Sequence, residues 1–283
     1  MAKECRISAW AETTVGKVRK RNEDAHLILP ERSFYLVADG MGGHKRGDLA
    51  SQLCIDSVRE FLTGAGTGKT IAFFKGLLDK PFDDRAVWER SICAAIEYAN
   101  RRIVKAAMMN RELAGMGTTV VSAGFRGSRM FVTWCGDSRI YRFRAGVLSQ
   151  VSEDHSLVNQ YLKSGALTPE QARRFPHRNV ILQALGLAED FRYDWLQETV
   201  MSGDVFLLCS DGLNDMLTDD QIRDILSTAL PSCGTDTGED GAERDSNLLS
   251  EACHALVSAA MDHGGLDNIT VMLLCVGPCE GQD

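Results

Sequence analysis

The sequence contains no apolar run of the ~18 residues that a membrane-spanning helix needs. Its first ten residues, MAKECRISAW, lack the charged-then-apolar pattern of a secretion signal. Basic residues are in deficit, with 31 Lys and Arg against 39 Asp and Glu and a net charge of −8. Because clustered basic residues bind nucleic-acid backbones, nucleic acid is not expected as a partner. These absences favour a cytoplasmic protein without a membrane partner, and we expect a monomer.

The cysteine pattern is also notable for what it lacks. Nine cysteines are present, but no two form a Cys-x-x-Cys pair, so zinc is not expected. Most lie in apolar runs such as VFLLCS and VMLLCV, which is typical of buried thiols. Cys275 and Cys279 are the only close pair, and we assign no bond to them. We therefore expect reduced, buried cysteines.

The segment TGAGTGKT, Thr63 to Thr70, resembles a nucleotide phosphate loop but fails its spacing. Gly-Lys-Thr would need a glycine at position 63, and Gly64 leaves only three intervening residues. Residues 48–62 have helical spacing, whereas a phosphate loop follows a strand. We interpret the segment as a flexible connector, and a nucleotide-binding switch is the weaker alternative.

The order of apolar segments predicts an α+β protein. Consecutive strands without intervening helices in the middle of the chain favour antiparallel pairing over a doubly wound parallel sheet. Residues 154–186 predict a polar helical insertion, and residues 231–247 an acidic, Gly-rich surface loop. No repeat or linker is evident, so a single domain over 1–283 is expected. Strands are predicted at 6–14, 26–29, 34–39, 118–125, 129–136, 140–146, 147–152, 205–210 and 268–276, and helices at 48–62, 86–109, 218–229 and 247–263.

Four aspartates lie at the ends of predicted strands, namely Asp39, Asp137, Asp211 and Asp267. Asp-Gly after a strand is also common in turns, because Asp bonds nearby backbone and Gly adopts positive φ. If the strands share one core, however, their ends converge, and close carboxylates repel one another unless cations neutralise them. Oxygen ligands of this kind select Mg²⁺, Mn²⁺ or Ca²⁺.

The charged segment VRKRNED, residues 18–24, has two interpretations. Arg19 lies close in sequence to Glu23 and Asp24, so the segment could bring a clamp for an anionic substrate beside metal-binding carboxylates. Such a run is more commonly a solvated surface.

Seven segments together resemble one known family. In this order they resemble the bacterial branch of the metal-dependent type 2C protein serine/threonine phosphatases, over about Arg6 to Gly277. They are Arg19-x-x-Asn22-Glu23-Asp24, ADGMGGH (38–44), GMGTT (115–119), CGDSRIY (135–141), the stretch Glu153 to Gly186, CSDGLND (209–215) and GGLDNITV (264–271).

The resemblance implies a four-layer αββα sandwich of two mostly antiparallel sheets flanked by helices, with a small helical flap at about 154–186. It also implies a binuclear Mn²⁺ or Mg²⁺ centre in a cleft at one end of the sandwich. In that centre, Asp39 would bridge both ions. Asp211 and Asp267 would complete the shell of one ion, and Glu23 with the Gly40 carbonyl would serve the other.

The resemblance implies further roles around this centre. Asp137 with Asp211 would form a third, weaker metal position. Asp24 would orient bound waters, and Asn268 would lie beside the Asp267 ligand. Arg19 would hold the substrate phosphate through bidentate hydrogen bonds.

The implied reaction is attack of a metal-bridging hydroxide on phosphoserine or phosphothreonine in proteins. No cysteine here is followed by arginine six positions later, and no Gly-x-Ser-x-Gly elbow occurs, so a nucleophilic side chain is not indicated. Phosphorylated proteins and a cognate bacterial serine/threonine kinase are the expected partners. The alternative is a catalytically silent phosphoprotein-binding relative, whose signature would be a lost ligand.

One departure from animal members of the family concerns the leaving group. Those members carry a histidine after the Asp-Gly pair, proposed to protonate the leaving alkoxide, whereas this chain has Met41 there. His44 is nearby, but we assign it no catalytic role. Four flap residues, Arg173, Arg174, His177 and Arg178, could contact acidic or phosphorylated substrates, although a solvated basic face explains them equally well.

Overall fold

Two antiparallel sheets face each other, and helices cover their outer faces. The structure is a computed structural model that describes residues 5–42, 46–64, 84–172, 175–177, 179–235 and 240–279. The arrangement is the four-layer αββα sandwich that the family resemblance implies.

The first sheet has the strand order β1 (Cys5–Thr14), β11 (Ile269–Cys279), β10 (Val205–Cys209), β7 (Arg139–Arg144) and β8 (Val147–Gln150). The second sheet has the order β2 (Asp24–Leu29), β3 (Phe34–Met41), β5 (Val120–Arg126), β6 (Arg129–Cys135) and β9 (Asp194–Thr199), and β4 (Gly117–Thr118) also pairs with β3. The helices are α1 (Gly47–Thr63), α2 (Asp84–Met109), α3 (Leu157–Lys163), α4 (Pro169–Ala172), α5 (Asp211–Asn214), α6 (Asp219–Ala229) and α7 (Gly241–Asp262).

The central strands β10 and β11 are buried on both faces, which explains why nearly all of their residues are apolar. In β10, Phe206 and Leu208 pack between the sheets, while Val205 and Leu207 face the helices outside. Side chains of a strand alternate between its two faces, so a sheet between two apolar layers must be apolar throughout. Helices α1 and α2 cover the second sheet, and α6 and α7 cover the first.

The structure differs from the predicted elements at three places. Helix α7 begins at Gly241, so the last part of the predicted acidic loop is helical instead. Acidic residues such as Glu243 are favourable in the first turn of a helix, but an acidic, Gly-rich composition is also typical of a surface loop. The predicted strand at 118–125 is interrupted at Thr119, and β9 was not predicted at all. Strand β9 lies at a sheet edge with alternate residues exposed, so it lacks the apolar pattern.

The expectation that the cysteines are all reduced is also wrong. Cys5 and Cys279 lie directly opposite each other on β1 and β11 and are joined by a disulfide. The other seven cysteines are free, and of these only Cys93 is not fully buried. Cys275 is on the same strand as Cys279 and is not bonded to it.

The segment that resembles a phosphate loop follows a helix, as predicted. Helix α1 ends at Thr63, and Gly64 caps it with a left-handed φ of 71°. Residues 65–83 lie outside the described residues. Within the described ranges, no helix is long and apolar enough to cross a membrane.

The packing between the sheets predicts how much stability is lost when one of its side chains is truncated. Phe206 is completely buried there, so Phe206→Ala should lower the free energy of unfolding by about 3–5 kcal/mol through lost apolar contacts and a cavity. Val147→Ala removes a side chain that is 61% exposed and should change stability by less than about 0.5 kcal/mol. Urea unfolding followed by circular dichroism measures both, and equal effects of the two variants would contradict the packing described.

Candidate metal centre

Carboxylates from both sheets meet at one end of the sandwich. Asp39 lies near the end of β3, and Asp24 is its register partner on β2. Asp211 follows β10, and Asp267 precedes β11. These two strands are antiparallel, so the end of β10 lies beside the beginning of β11, where Ser210 N donates to Thr270 O at 3.1 Å. The predicted convergence of strand-end aspartates therefore has a structural basis.

The negative charges at this end act strongly on one another. Burial raises the pKa of Asp39 well above its usual value, and neighbouring carboxylates raise it further, in decreasing order Asp24, Asp211, Asp137 and Asp267. Burial, followed by the charge of Asp137, does the same to the pKa of Asp211. Burial is also the main cause that raises the pKa values of Asp24 and Asp137 to about 6 each. A positive charge placed among these groups would be strongly stabilised.

Two carboxylate oxygens are available to a ligand. Oδ2 of Asp24 accepts hydrogen bonds from Ser210 Oγ at 2.8 Å and Thr270 Oγ1 at 2.7 Å. Its Oδ1, like Oδ1 of Asp137, is buried and has no hydrogen-bond partner in the described part of the chain. Buried carboxylate oxygens without donors are costly unless a cation satisfies them. This donor set fits a hard divalent cation.

Asn268 connects Asp267 to the segment that carries Glu23. Its Oδ1 accepts from Glu23 N at 2.8 Å, and its Nδ2 donates to the carbonyls of Val15 and Arg21 at 3.0 and 2.9 Å. The Glu23 carbonyl in turn accepts from Gly40 N at 3.1 Å. The structure thus brings these predicted residues together through backbone contacts.

Several contributors were missed by reasoning from the sequence. Ser210, Thr270 and Thr119 all lie in quoted motifs, but no role was assigned to them. Thr119 joins two loops of the site, because its Oγ1 accepts from Asp39 N at 3.1 Å and bonds Ser138 Oγ at 2.6 Å. Asp48, in the first turn of α1, is the charge that most raises the pKa of Glu23, after burial. The sequence signal that could have identified the three hydroxyl residues is their position close to strand ends and to the aspartates there.

The glycines after the two central aspartates are required by crowding. A Cβ on Gly40 would overlap the carbonyl oxygen of Gly47, and a Cβ on Gly212 would overlap the carbonyl oxygen of Asn268. Neither glycine has a positive φ. Gly40 and Gly212 are therefore not turn glycines with positive φ, which was the structural interpretation of an Asp-Gly pair after a strand. Glycine is needed at both positions because the missing side chain lets two backbone segments touch.

Arg19 lies at the rim of the carboxylate cluster. Its Nη2 donates to Asp267 Oδ2 at 2.6 Å, and its side chain is 51% exposed. Arg19 is thus in contact with a predicted metal ligand and open to solvent, the position expected of a clamp for an incoming anion.

The predicted flap lies beside the site and contains the short helices α3 and α4. His155 anchors it, because its backbone N donates to Gly136 O at 2.9 Å and its Nδ1 accepts from Gly136 N at 3.2 Å. A cavity of about 540 Å³ separates the flap from Asp137 and Asp211. Of the flap residues with predicted substrate contacts, His177 is exposed, whereas Arg173, Arg174 and Arg178 lie outside the described residues, as does His44.

Comparison with known proteins identifies the family. The family model for protein phosphatase 2C matches residues 17–248, and the chain belongs to that family. It is 32% identical over 271 residues to the serine/threonine phosphatase Stp of Listeria monocytogenes, covering 95% of each protein. It is also 32% identical to the protein phosphatase PhpP of Streptococcus pneumoniae, covering 95% of this chain and 98% of that one.

Solved structures share the fold. The catalytic domain of the serine/threonine phosphatase PstP, solved in complex with two manganese ions, superposes with a TM-score of 0.74 at 29% identity. The match covers 96% of this chain and 99% of that one. The expected family and fold are thereby confirmed.

Repulsion within the cluster predicts the effect of removing one charge. Asp211→Asn should raise the stability of the metal-free protein by on the order of 1 kcal/mol, because one buried negative charge is lost. It should also reduce the rise in melting temperature that Mn²⁺ produces. Thermal unfolding in EDTA and in Mn²⁺ measures both, with Asp220→Asn, at a side chain 79% exposed, as the control. A variant less stable than wild type in EDTA would contradict the repulsion.

Proposed function

We propose that this chain is a metal-dependent protein serine/threonine phosphatase whose carboxylate cluster holds two divalent cations. The observation that carries the proposal is the convergence of Asp39, Asp211 and Asp267 with Asp24 and Glu23, in a chain that belongs to the protein phosphatase 2C family. The silent binding module is less well supported, because every ligand position implied by the family is present.

The proposed ligands are assigned residue by residue. Asp39 would serve both ions, Asp211 and Asp267 would serve one, and Glu23 with the Gly40 carbonyl would serve the other. Asp137 contributes with Asp211 to a third, weaker position, for which its unpartnered buried oxygen is the support. Manganese or magnesium suits these oxygens, and the relative PstP was solved with two manganese ions.

Two divalent cations held here would lower the pKa of a shared water and balance the charge of the substrate phosphate. The protein's own groups position the reactants. Ser210 and Thr270 fix one oxygen of Asp24, which leaves its other oxygen to accept a hydrogen bond from a water in the site. Arg19 offers further N–H donors to a phosphate at the rim.

A covalent step through the nearby serine is disfavoured. Ser210 Oγ is fully buried, donates to Asp24 and accepts from Thr270 N at 3.0 Å. The Ser210 hydroxyl hydrogen and one of its oxygen lone pairs are thus engaged in hydrogen bonds, so Ser210 positions Asp24 rather than acting as a nucleophile. Direct attack by water is consistent with this arrangement.

The proposal extends to the cellular setting. Phosphoserine and phosphothreonine proteins are the substrates, and a cognate bacterial kinase is the expected counterpart. Because such a kinase consumes ATP, we place the enzyme in the cytoplasm, as a monomer with one catalytic domain over 1–283. The named relatives described above are bacterial phosphatases.

Phosphate release from a phosphothreonine peptide is the direct test. Wild-type protein should be active with Mn²⁺ and inactive with excess EDTA. Asp211→Asn should lose at least about 100-fold in kcat/KM, because an ion loses a ligand. Circular dichroism would confirm that the variant is folded. No release from folded, Mn²⁺-loaded wild-type protein would refute the proposal in favour of the silent module.

Arg19 provides a second test that separates binding from hydrolysis. Arg19→Ala should lower kcat/KM by about 10–100-fold, because charge-assisted hydrogen bonds to the phosphate are lost. Arg19→Lys should restore part of this loss, since it keeps the charge without the planar fork. Arg21→Ala, which removes an exposed neighbouring side chain, is the control. Equal kinetics for Arg19→Ala and wild type would exclude the clamp.

A further inference from the structure

A chain of side-chain hydrogen bonds links Asn22 to the carboxylate of Asp24. Asn22 Nδ2 donates to Thr13 Oγ1 at 2.8 Å, and Thr13 Oγ1 lies 2.7 Å from Thr270 Oγ1. Thr270 Oγ1 in turn donates to Asp24 Oδ2 at 2.7 Å. Thr13 and Thr270 are register partners on β1 and β11, so the pairing of these strands holds the two hydroxyls together. The proposed ligand set includes neither Asn22 nor Thr13, so the chain reaches Asp24 from outside the site.

The amide of Asn22 has one orientation. Its Oδ1 accepts a hydrogen bond from the backbone N of Asp24 at 3.1 Å. If the amide were flipped, its NH₂ group would face that N–H, and two donors would oppose each other. Nδ2 must therefore point to Thr13, and Thr13 Oγ1 must accept from it.

The orientation of the amide sets the direction of both threonine hydroxyls. A hydroxyl has a single hydrogen to donate. Because Thr13 Oγ1 accepts from Asn22, its hydrogen is available to Thr270 Oγ1, and the hydrogen of Thr270 is then available to Asp24. The three hydrogen bonds of the chain thus hold three hydrogens, and all of them point towards the carboxylate. Hydrogen bonds that follow one direction polarise and strengthen one another.

The chain ends at only one oxygen of Asp24. Oδ2 receives hydrogens from Thr270 and from Ser210, whose Oγ lies 2.8 Å away. Oδ1 is buried and has no hydrogen-bond partner in the described part of the chain. The two hydroxyl donors fix the rotation of the carboxylate group, and they thereby fix the direction in which Oδ1 points.

We propose that Asn22 is a positioning residue of the phosphatase and acts on Asp24 through the hydroxyls of Thr13 and Thr270. The inference rests on the proposed function, in which Oδ1 of Asp24 accepts a hydrogen bond from a water in the site. Asn22 supplies the hydrogen that completes the chain. Asp24 therefore keeps both hydroxyl donors on Oδ2, and its other oxygen stays directed at that water.

Asn22→Asp tests the direction of the chain with almost no change of shape. An ionised carboxylate accepts hydrogen bonds and donates none. The three hydrogen bonds of the chain would then have only two hydrogens between them. A carboxylate at position 22 draws the hydrogen of Thr13 to itself, so Thr270 must share its hydrogen between Thr13 and Asp24.

The variant should lower kcat for p-nitrophenyl phosphate and leave KM close to its wild-type value. We expect kcat to fall by about five-fold, which corresponds to roughly one net hydrogen bond. The water beside Asp24 loses a fixed partner, whereas Arg19 still holds the phosphate. Arg21→Gln changes the net charge by the same amount at an exposed neighbouring side chain, so it measures the effect of charge alone.

Thr13→Val separates transmission through the chain from a local effect at position 22. Thr13 is exposed on β1, where valine suits the strand. Valine has no hydroxyl, so in the double variant Asn22→Asp/Thr13→Val the hydrogen of Thr270 returns to Asp24. The double variant should therefore have a kcat within about two-fold of that of Thr13→Val, although it keeps the new charge.

Thermal unfolding in EDTA provides a readout that does not depend on activity. Asn22→Asp should lower the melting temperature more in the wild-type background than in the Thr13→Val background, by about 2–4 °C. The added charge is the same in both backgrounds, so the difference reports the hydrogen-bond chain.

The outcomes separate this inference from the proposed function. Wild-type kcat in Asn22→Asp would overturn the positioning role, and so would a loss that equals that of Arg21→Gln or persists in the double variant. Equal losses of melting temperature in the two backgrounds would also overturn it. In each case an active wild-type protein keeps the phosphatase in place. Failure of folded, Mn²⁺-loaded wild-type protein to hydrolyse p-nitrophenyl phosphate and the phosphothreonine peptide would refute the phosphatase and the positioning role together.

Discussion

Mutual repulsion among buried carboxylates is the constraint around which this molecule is built. Burial raises the pKa values of Asp39 and Asp211, the charges of Asp137 and Asp267 raise both further, and without cations these groups oppose the folded state. Two sheets bring them together from distant parts of the chain, so the apolar layer between the sheets must hold them. The buried strands β10 and β11, which are apolar at nearly every position, are therefore as necessary to the site as the aspartates. At this end of the sandwich the carboxylates that suit the site for metal ions also destabilise the fold, and bound cations would remove that destabilisation.

Hydrogen bonds from neutral hydroxyl groups hold the repelling carboxylates in fixed positions. Ser210 and Thr270 satisfy one oxygen of Asp24, and Thr119 ties the backbone of Asp39 to the loop of Asp137. None of these hydroxyls adds charge. They fix the direction of the carboxylates and leave specific oxygens facing the cleft, so the site is organised before a cation arrives.

Much of this could be predicted from the sequence, and the failures have physical causes. The buried strands were recognisable because most of their positions are apolar, whereas β9, at an edge with exposed alternate residues, carried no such pattern. The strand-end aspartates could be singled out from the sequence as candidates, but their meeting depends on pairings such as Asp24 with Asp39, which local pattern does not reveal. The start of α7 was missed because its acidic first turns have the composition of a loop, and the Cys5–Cys279 bond was missed because its partners are 274 residues apart.

The crowded glycines at 40 and 212 have a consequence for how substitutions in this protein are interpreted. At each position the absent side chain admits the backbone of another segment, Gly47 in one case and Asn268 in the other. Alanine there would push apart the segments that carry the aspartates, without altering any ligand atom. A mutational survey scored only by activity would thus rank these glycines beside the carboxylates. Intolerance to substitution at these glycines would reflect close backbone packing rather than a role in the chemistry. Each Asp-Gly pair is therefore constrained twice, because the aspartate is a proposed ligand and the glycine admits a neighbouring backbone segment.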